Sequence, residues 1–308
     1  MMKEANKKFP LALVNITNRC NLKCKHCFVF REGNPNIPTE KNEMATDLMI
    51  KEIKKYKSKY GIFRMLWMGG EPLLRKDVLK HGIKLFSQNV VATNGTIPLI
   101  NLGPNVKWTI SLDGPEDIND EIRGKRSFER VMCNLNNLPE DFTGDLQCNC
   151  VVSKMNEGSF EELINVLRKE TPIRGITFTF YVPKTNDKSL FAWKSLEERD
   201  SAVKKIIKLK KKYPKFILNN KMALNLLYST HAPQITVECL IKEIMLPLYL
   251  GNNGFETPFC CYGNDVDCNL CGSWGVFHLA LVRKLNPGFP SKMAEGIFKK
   301  VSPSDIIL

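Results

Sequence analysis

Three cysteines near the start of the chain have a spacing that could bind iron. Cys20, Cys24 and Cys27 are separated by three and by two residues. Three thiolates at this spacing can wrap one face of a [4Fe-4S] cluster, which takes four ligands, and one iron then stays open to a substrate. A zinc site completed by His26 is the alternative, but zinc sites usually use paired C-x2-C units and His26 adjoins Cys27. The spacing therefore favours an iron–sulfur cluster.

Five further cysteines lie near the other end of the chain. Cys239, Cys260, Cys261, Cys268 and Cys271 fall within 33 residues, whereas a metal site of this kind needs four ligands. Neighbouring side chains in an extended chain point to opposite sides, so we do not expect Cys260 and Cys261 to bind one site together. We predict a second metal site with Cys239, Cys261, Cys268 and Cys271 as ligands and Cys260 as the alternate. A structural zinc ion is the alternative occupant of this second site.

Two polar segments stand where strands are predicted to end. Gly69 and Gly70 allow the backbone to approach a ligand closely, and the carboxylate of Glu71 can accept hydrogen bonds from an ammonium group. Thr93 and Asn94 end the next predicted strand. An ordinary strand-to-helix turn is the alternative explanation for the glycines.

The fourth and fifth predicted strands also carry side chains that could do chemistry. Alternation along residues 107–113 places Ser111 and Asp113 on one face. The fifth strand carries Cys148 and Cys150 on a common face. If that face lines the interior of the fold, one of the two thiols could act on a substrate. Packing as small buried hydrophobic side chains is the favoured interpretation.

Between residues 10 and 215, short apolar or β-branched runs alternate with segments of helical period. Strands are predicted at residues 11–16, 64–68, 90–93, 106–112, 146–152 and 176–181. Helices are predicted at residues 46–60, 76–86, 127–137, 159–169 and 195–212. Six βα units in series imply an α/β fold with a parallel sheet. A partial (β/α)6 TIM-like barrel fits better than a doubly wound sheet, because no G-x-G-x-x-G turn follows the first strand.

The alternation stops near residue 215, so we predict two parts: a barrel at residues 1–215 and a small cysteine-rich module with a tail at residues 216–308. The chain has 308 residues, of which 43% are hydrophobic and 25% charged, which excludes disordered, collagen-like and coiled-coil proteins. No stretch reaches the roughly 18 apolar residues of a membrane span, and the charged N-terminus is unlike a signal peptide. We therefore predict a cytoplasmic protein, in which eleven cysteines serve metal ligation more readily than disulfides.

The motifs together resemble the radical S-adenosylmethionine (radical SAM) superfamily. Its C-x3-C-x2-C loop after the first strand matches Cys20, Cys24 and Cys27, and later segments resemble the S-x-D-G…R-G…F-x-x-V signature of a subgroup with extra clusters. The resemblance implies that the three cysteines bind a [4Fe-4S] cluster. The implied SAM-binding residues are Gly69, Gly70 and Glu71 for the amino group, Ser111 and Asp113 for the ribose, Arg123 for the carboxylate, and Thr93 and Asn94 beside them.

The resemblance also implies a reaction. A reduced cluster cleaves SAM to a 5′-deoxyadenosyl radical, which abstracts hydrogen from a substrate, and Cys150 or Cys148 is a possible hydrogen donor to the substrate radical. The implied substrate is a small molecule, a sugar or lipid precursor, or a peptide. The peptide is included because peptide-modifying maturases belong to this subgroup. Only nineteen residues precede Cys20, fewer than a leader-peptide recognition domain needs, so we expect a small molecule or a peptide delivered by a separate protein.

The second cysteine group resembles the shortened auxiliary-cluster (twitch) extension of the subgroup more than its full-length SPASM form, which uses seven cysteines and two clusters. The resemblance implies one auxiliary [4Fe-4S] cluster that assists the reaction. The competing hypothesis is a non-catalytic zinc or iron–sulfur module, with an RNA-associated protein as one form of it.

The chain is strongly basic, with 45 Lys and Arg against 32 Asp and Glu and a net charge of +13. Lysines are dense at residues 51–59 and 204–215, on predicted helices whose solvated faces are the default explanation. A basic surface would also attract an acidic electron donor such as a flavodoxin or ferredoxin. We do not expect a nucleic acid partner, because no recognition helix or aromatic RNA-binding motif accompanies the charge.

Overall fold

An eight-stranded sheet runs through the molecule in the order β6-β5-β4-β3-β2-β1-β7-β8. The computed structural model describes residues 7–31, 34 and 43–289. The strands are β1 (Leu11–Asn15), β2 (Arg64–Met68), β3 (Gln88–Thr93), β4 (Val106–Ser111), β5 (Asp145–Val152), β6 (Ile176–Phe180), β7 (Met245–Gly251) and β8 (Gly254–Glu256). Neighbouring strands are parallel except for the antiparallel pair β7 and β8. The predicted α/β fold with a parallel sheet is confirmed.

Helices follow most of the strands. The described helices are α1 (Thr46–Tyr60), α2 (Lys76–Gly82), α3 (Glu116–Arg123), α4 (Ser127–Asn136), α5 (Phe160–Glu170), α6 (Leu196–Lys212), α7 (Lys221–Asn225), α8 (Ala232–Val237), α9 (Ile241–Ile244) and α10 (Trp274–Leu285). Their amphipathic pattern explains how they pack: α5 buries Phe160, Leu163, Ile164 and Leu167, which recur at the spacing of one helix face. None of the described helices is long and apolar enough to cross a membrane.

The two faces of the sheet are distinct at β4 and β5. Ile110 is fully buried, and a Cβ added to the neighbouring Gly95 would meet both Ile110 and Val131 of α4. The face that carries Ile110 is therefore covered by helices. Side chains alternate along a strand, so Ser111 and its register partner Asn149 lie on the opposite, partly exposed inner face.

Several elements differ from the sequence predictions. The predicted helix at 76–86 ends at Gly82 and continues as a 3-10 turn at Ile83–Leu85. The short α3 is absent from the prediction because only two of its eight residues, Ile118 and Ile122, are apolar, which is too few to show a periodic pattern. At α6 the hydroxyl of Ser195 accepts a capping hydrogen bond from the N–H of Glu198.

The sheet also extends into the part of the chain after residue 215. Strand β7 pairs with β1, with Met245 opposite Leu11, and β8 folds back on β7. The sequence prediction ended at six strands because Pro247 interrupts the apolar run. Since β8 pairs with β7 only from Tyr249 to Gly251, one side of Pro247 lacks a ladder partner in this sheet, a position where the missing N–H of proline is tolerated.

Candidate active site

The first cysteine group lies in the loop that follows strand β1, which lies between β2 and β7 in the sheet. Cys20, Cys24 and Cys27 are partly exposed and form no disulfide. Burial, with smaller contributions from the Glu71 carboxylate and from the nearby thiols of Cys24 and Cys27, raises the pKa of Cys20 to about 12. The three thiols are thus close enough to repel one another as thiolates. Unbridged soft thiols that gather in this way fit an iron–sulfur cluster, because iron binding removes the repulsion.

The loop is fixed against the end of β2 by backbone contacts. The N–H groups of Gly70 and Glu71 donate to the carbonyls of Thr17 and Arg19 at 2.8 and 2.9 Å. A Cβ on Gly70 would lie 2.1 Å from the Arg19 carbonyl oxygen and 3.0 Å from the Cβ of Cys20. Only glycine permits this approach, so Gly70 sets the position of the first cysteine.

Glu71 joins the ends of β2 and β3. Its carboxylate is fully buried and accepts hydrogen bonds from the Leu73 N–H at 3.0 Å, the Thr93 hydroxyl at 2.7 Å and the Asn94 N–H at 2.8 Å. Burial raises the pKa of Glu71, and these donors lower it in part. The Asn94 amide in turn donates to Asn21 Oδ1 at 2.9 Å and contacts the Cys20 sulfur at 3.9 Å. Three of the predicted residues therefore form one network with the cysteine loop.

A second buried carboxylate lies under the other side of the loop. Oδ2 of Asp113 lies 2.7 Å from Nε of Arg123 and 2.7 Å from Nε2 of His26, and its Oδ1 accepts the N–H of Val151 at 2.9 Å. Burial would raise the pKa of Asp113, but Arg123 and His26 hold it below its usual value. The amide of Asn156 donates to the Asp113 carbonyl at 2.7 Å.

The family resemblance implies that Asp113 contacts the ribose and that Arg123 binds the SAM carboxylate, and both roles stay predictions. In the structure Asp113 is fully buried and is paired with Nε of Arg123. From the sequence His26 is considered only as a zinc ligand, and Asn156 is not among the predicted site residues. The Nδ1 atom of His26 is buried and has no hydrogen-bond partner among the described residues. An orphaned polar atom beside Cys27 fits a site that a bound group completes.

Cys148 and Cys150 occupy the helix-covered face of β5. Cys148 is the register partner of Ile110, whereas Asn149 is the partner of Ser111. Both thiols are fully buried, and burial raises the pKa of each. A hydrogen donor would need the cysteine face of β5 to line the interior of the barrel, whereas this face is covered by helices. The positions of Cys148 and Cys150 agree with packing as small buried side chains.

The second cysteine group lines a single small cavity. All five cysteines line it: Cys239, Cys260, Cys261, Cys268 and Cys271. The other lining residues include Thr236, Lys242, Tyr262, Ser273 and Val276. None of the five forms a disulfide. Within the described ranges, no three Cys, His, Asp or Glu side chains form a group that could hold a single metal ion. The donor set, five unbridged thiols around one cavity, fits the predicted auxiliary site.

Charged side chains hold the walls of this cavity. Nζ of Lys242 lies 3.8 Å from the Cys268 sulfur. The almost fully buried Arg199 donates from Nη1 to the Cys271 carbonyl at 2.9 Å and from Nη2 to the Leu227 carbonyl at 2.7 Å. These cations contact residues of the cavity wall, where a metal bound through thiolates would bring negative charge.

The two cysteine groups are joined through the residues that follow them. Phe28, next to Cys27, packs on Tyr262, next to Cys261, with ring centroids 4.8 Å apart. The buried amide of Asn34 donates to the Phe28 carbonyl at 2.8 Å and accepts from the Asn264 N–H at 3.0 Å. The sequence gives no signal for this contact, because its partners lie more than 200 positions apart.

Comparison with known proteins identifies the family. The model of the Radical SAM superfamily matches residues 14–192, more than half of the chain. Fe-coproporphyrin III synthase of Methanosarcina barkeri is 28% identical over 218 residues, which cover 67% of this chain and 52% of that protein. The chain thus spans about half the length of this relative.

Solved structures support the fold. SuiB of Streptococcus suis bound to S-adenosylmethionine aligns with a TM-score of 0.60 at 15% identity, over 80% of this chain and 60% of that one. The enzyme anSMEcpe with bound AdoMet and a peptide aligns with a TM-score of 0.59 at 16% identity, over 87% and 80% of the two chains. With a family model that covers most of the barrel and its cysteine loop, the chain belongs to the Radical SAM superfamily.

Proposed function

We propose that the chain binds a [4Fe-4S] cluster on Cys20, Cys24 and Cys27 and uses it to cleave SAM. The observation that carries the proposal is the set of three unbridged, partly exposed thiols in the loop after the C-terminal end of β1. When bound, the reduced cluster supplies the electron that converts SAM to a 5′-deoxyadenosyl radical, which abstracts hydrogen from the substrate. The remaining work of the protein is to hold the loop, bind SAM and exclude water.

Different residues around the loop bind different parts of SAM in this proposal. Gly69 and Gly70 bring the backbone close to the loop, so we propose that SAM is bound there by its amino group, with Glu71 fixing the segment. Ser111 lies on the inner face, where it can meet the ribose. Arg123 has five N–H donors, and we propose that those not facing Asp113 bind the SAM carboxylate. In this proposal Asp113 holds Arg123 in place and does not itself contact the ribose.

We propose an auxiliary [4Fe-4S] cluster on Cys239, Cys261, Cys268 and Cys271, with Cys260 as the alternate to Cys261. The common cavity of these thiols supports the proposal. Its contact with the first loop through Phe28 and Tyr262 supports an assisting role. A zinc ion at these cysteines is the alternative; the described side chains count against it, because no three of them form a group that could hold a single ion, and metal analysis separates the two.

The substrate that we propose is a small molecule or a peptide that reaches the inner face of the barrel. The name of the Methanosarcina barkeri relative points to a small molecule, whereas anSMEcpe was solved with a peptide. The net charge of +13 supports an acidic electron donor such as a flavodoxin or ferredoxin. A reducing compartment such as the cytoplasm would keep the thiols available.

Anaerobic reconstitution with iron and sulfide tests the proposal. We expect about eight irons per chain for two clusters and 5′-deoxyadenosine after SAM and dithionite are added. The Cys27→Ala variant should lose about four irons and all nucleoside formation, and the Cys268→Ala variant should lose about four irons from the other site. The matched control is Cys133→Ala, because Cys133 is exposed and lies in neither group. Bound zinc without any nucleoside product would overturn the proposal.

A further inference from the structure

A second cavity lies at the end of the sheet opposite to the first cysteine loop. Its lining includes Phe9, just before β1, and Met245, the first residue of β7. Because β1 and β7 are parallel, these residues mark the N-terminal ends of both strands, whereas Cys20 follows the C-terminal end of β1. The cavity has a volume of about 370 Å³, which falls within the range of small-molecule sites, roughly 300–1,000 Å³.

Three lysines line this cavity, and each lies over an aromatic ring of the same wall. Nζ of Lys7 is 4.6 Å from the ring centroid of Phe9, Nζ of Lys59 is 4.8 Å from that of Tyr60, and Nζ of Lys242 is 3.6 Å from that of Phe259. Cation–π attraction of this kind holds an ammonium group in place. The three ammonium groups are thereby held at the cavity instead of extending into the solvent.

The rest of the lining gives the cavity an apolar side. Ile241, Met245, Leu246 and Pro258 are buried residues that contribute to it. The described part of the lining includes no Asp or Glu. A concave site with one sign of charge and low-dielectric walls concentrates ions of the opposite sign.

We propose that this cavity binds a small amphiphilic anion, with its carboxylate or phosphate group at Lys7, Lys59 and Lys242 and its apolar body against Phe9 and Leu246. The site does not hold the reacting part of the substrate, because it lies at the opposite end of the barrel from the SAM cluster loop. The proposal does not rest on the proposed function, since the cavity uses none of the SAM-binding residues.

A ligand bound in this cavity would also lie next to the auxiliary site. Cys260 and Cys261 line both this cavity and the small cysteine cavity. A bound anion would therefore lie against the wall that carries two of the five thiols. We expect its binding to change the visible absorption or electron paramagnetic resonance spectrum of the auxiliary site.

Titration calorimetry on the full, reconstituted chain tests the site, with SAM present so that the SAM site is filled. The probes are 1-naphthoate, 1-naphthyl phosphate and the neutral 1-naphthalenemethanol. We expect both anions, or the one whose head group the site prefers, to bind at least tenfold more tightly than the neutral probe. Their affinity should fall as salt is added. Equal binding of the neutral probe would overturn the proposal.

Charge-matched variants locate the binding. The double variant K7E/K59E should weaken binding of the anion at least tenfold, and K7R/K59R should restore it. The control K51E/K54E changes two exposed lysines of α1 that do not line the cavity and alters the net charge equally, so it should bind as the wild type does. Melting temperatures show that each variant is folded. Equal weakening in the control and the K7E/K59E variant would show general attraction to a basic surface and would overturn the site.

Discussion

At the scale of single residues, two buried carboxylates under the cysteine loop have opposite electrostatic environments. Glu71 is surrounded by neutral donors, and burial raises its pKa. Asp113 faces the same burial, but Arg123 and His26 lower its pKa. The difference indicates that Glu71 acts as a hydrogen-bond acceptor that joins two strand ends, whereas Asp113 acts as the counter-charge that keeps Arg123 in place.

We predict that Asp113→Asn destabilises the protein strongly. Removal of one partner from a buried ion pair leaves an uncompensated charge, which costs about 3–5 kcal/mol, and Arg123 is only 7% exposed. Urea unfolding measures the change in the free energy of unfolding. The control is Glu129→Gln, which removes the exposed pair with Arg126 and should leave the unfolding midpoint unchanged. A small effect at Asp113 would show that the pair is dispensable.

The same ion pair predicts a pH dependence. The pKa of Asp113 is lower in the folded protein than its ordinary value of 3.8. Its stabilisation is therefore complete above that value and is lost as the pH falls through and below it. We expect the stability difference between the wild type and Asp113→Asn to be constant from pH 8 to about pH 5 and to shrink toward pH 3. A difference that grows on acidification would contradict the ion pair.

At the scale of elements, the cysteine loop is positioned by the end of β2. Gly69 and Gly70 let this strand end contact residues 17–20, and the hydrogen bonds of Glu71 and Asn94 extend the contact to β3. Loops at active sites are commonly held in this way by the ends of a rigid sheet.

We predict that Gly70→Ala displaces the loop and lowers the iron content of the first site. The added Cβ would lie 2.1 Å from the Arg19 carbonyl, a backbone atom that cannot move without the loop. Iron analysis after reconstitution should show a loss of about four irons. The matched control is Gly158→Ala, because no atom lies within 4 Å of the added Cβ at Gly158. Full iron content in Gly70→Ala would show that the loop adapts.

At the scale of the whole molecule, the two cysteine groups belong to one connected structure. Strand β7 forms a parallel ladder with β1, and Asn34 and Phe28 bind the 262–264 segment from the first loop. The predicted division at residue 215 therefore separates two parts that share a sheet.

We predict a single unfolding transition for the reconstituted protein. Loss of the β1–β7 ladder would expose the buried Leu13 and Leu248 together, so neither part should unfold alone. Far-ultraviolet circular dichroism and absorbance of the iron sites should change at the same urea concentration. Two separated transitions would contradict the prediction and favour independent domains.

The sequence by itself determined the features that depend on local pattern. Strand and helix periodicity predicted β1 to β6 and most of the helices between them, and the spacing of Cys20, Cys24 and Cys27 pointed to the family that the comparison shows. The alternation of β5 showed that Cys148 and Cys150 share a face. Such features are readable because each arises from residues that are close along the chain.

Only the tertiary structure decided which distant residues meet. It placed Cys148 and Cys150 on the covered face, paired Asp113 with Arg123 and His26, and brought five thiols around one cavity. It also added β7 and β8 to the sheet and built the lysine-lined cavity below it. These contacts depend on burial and on the balance between desolvation and charge pairing, which local spacing along a sequence does not specify.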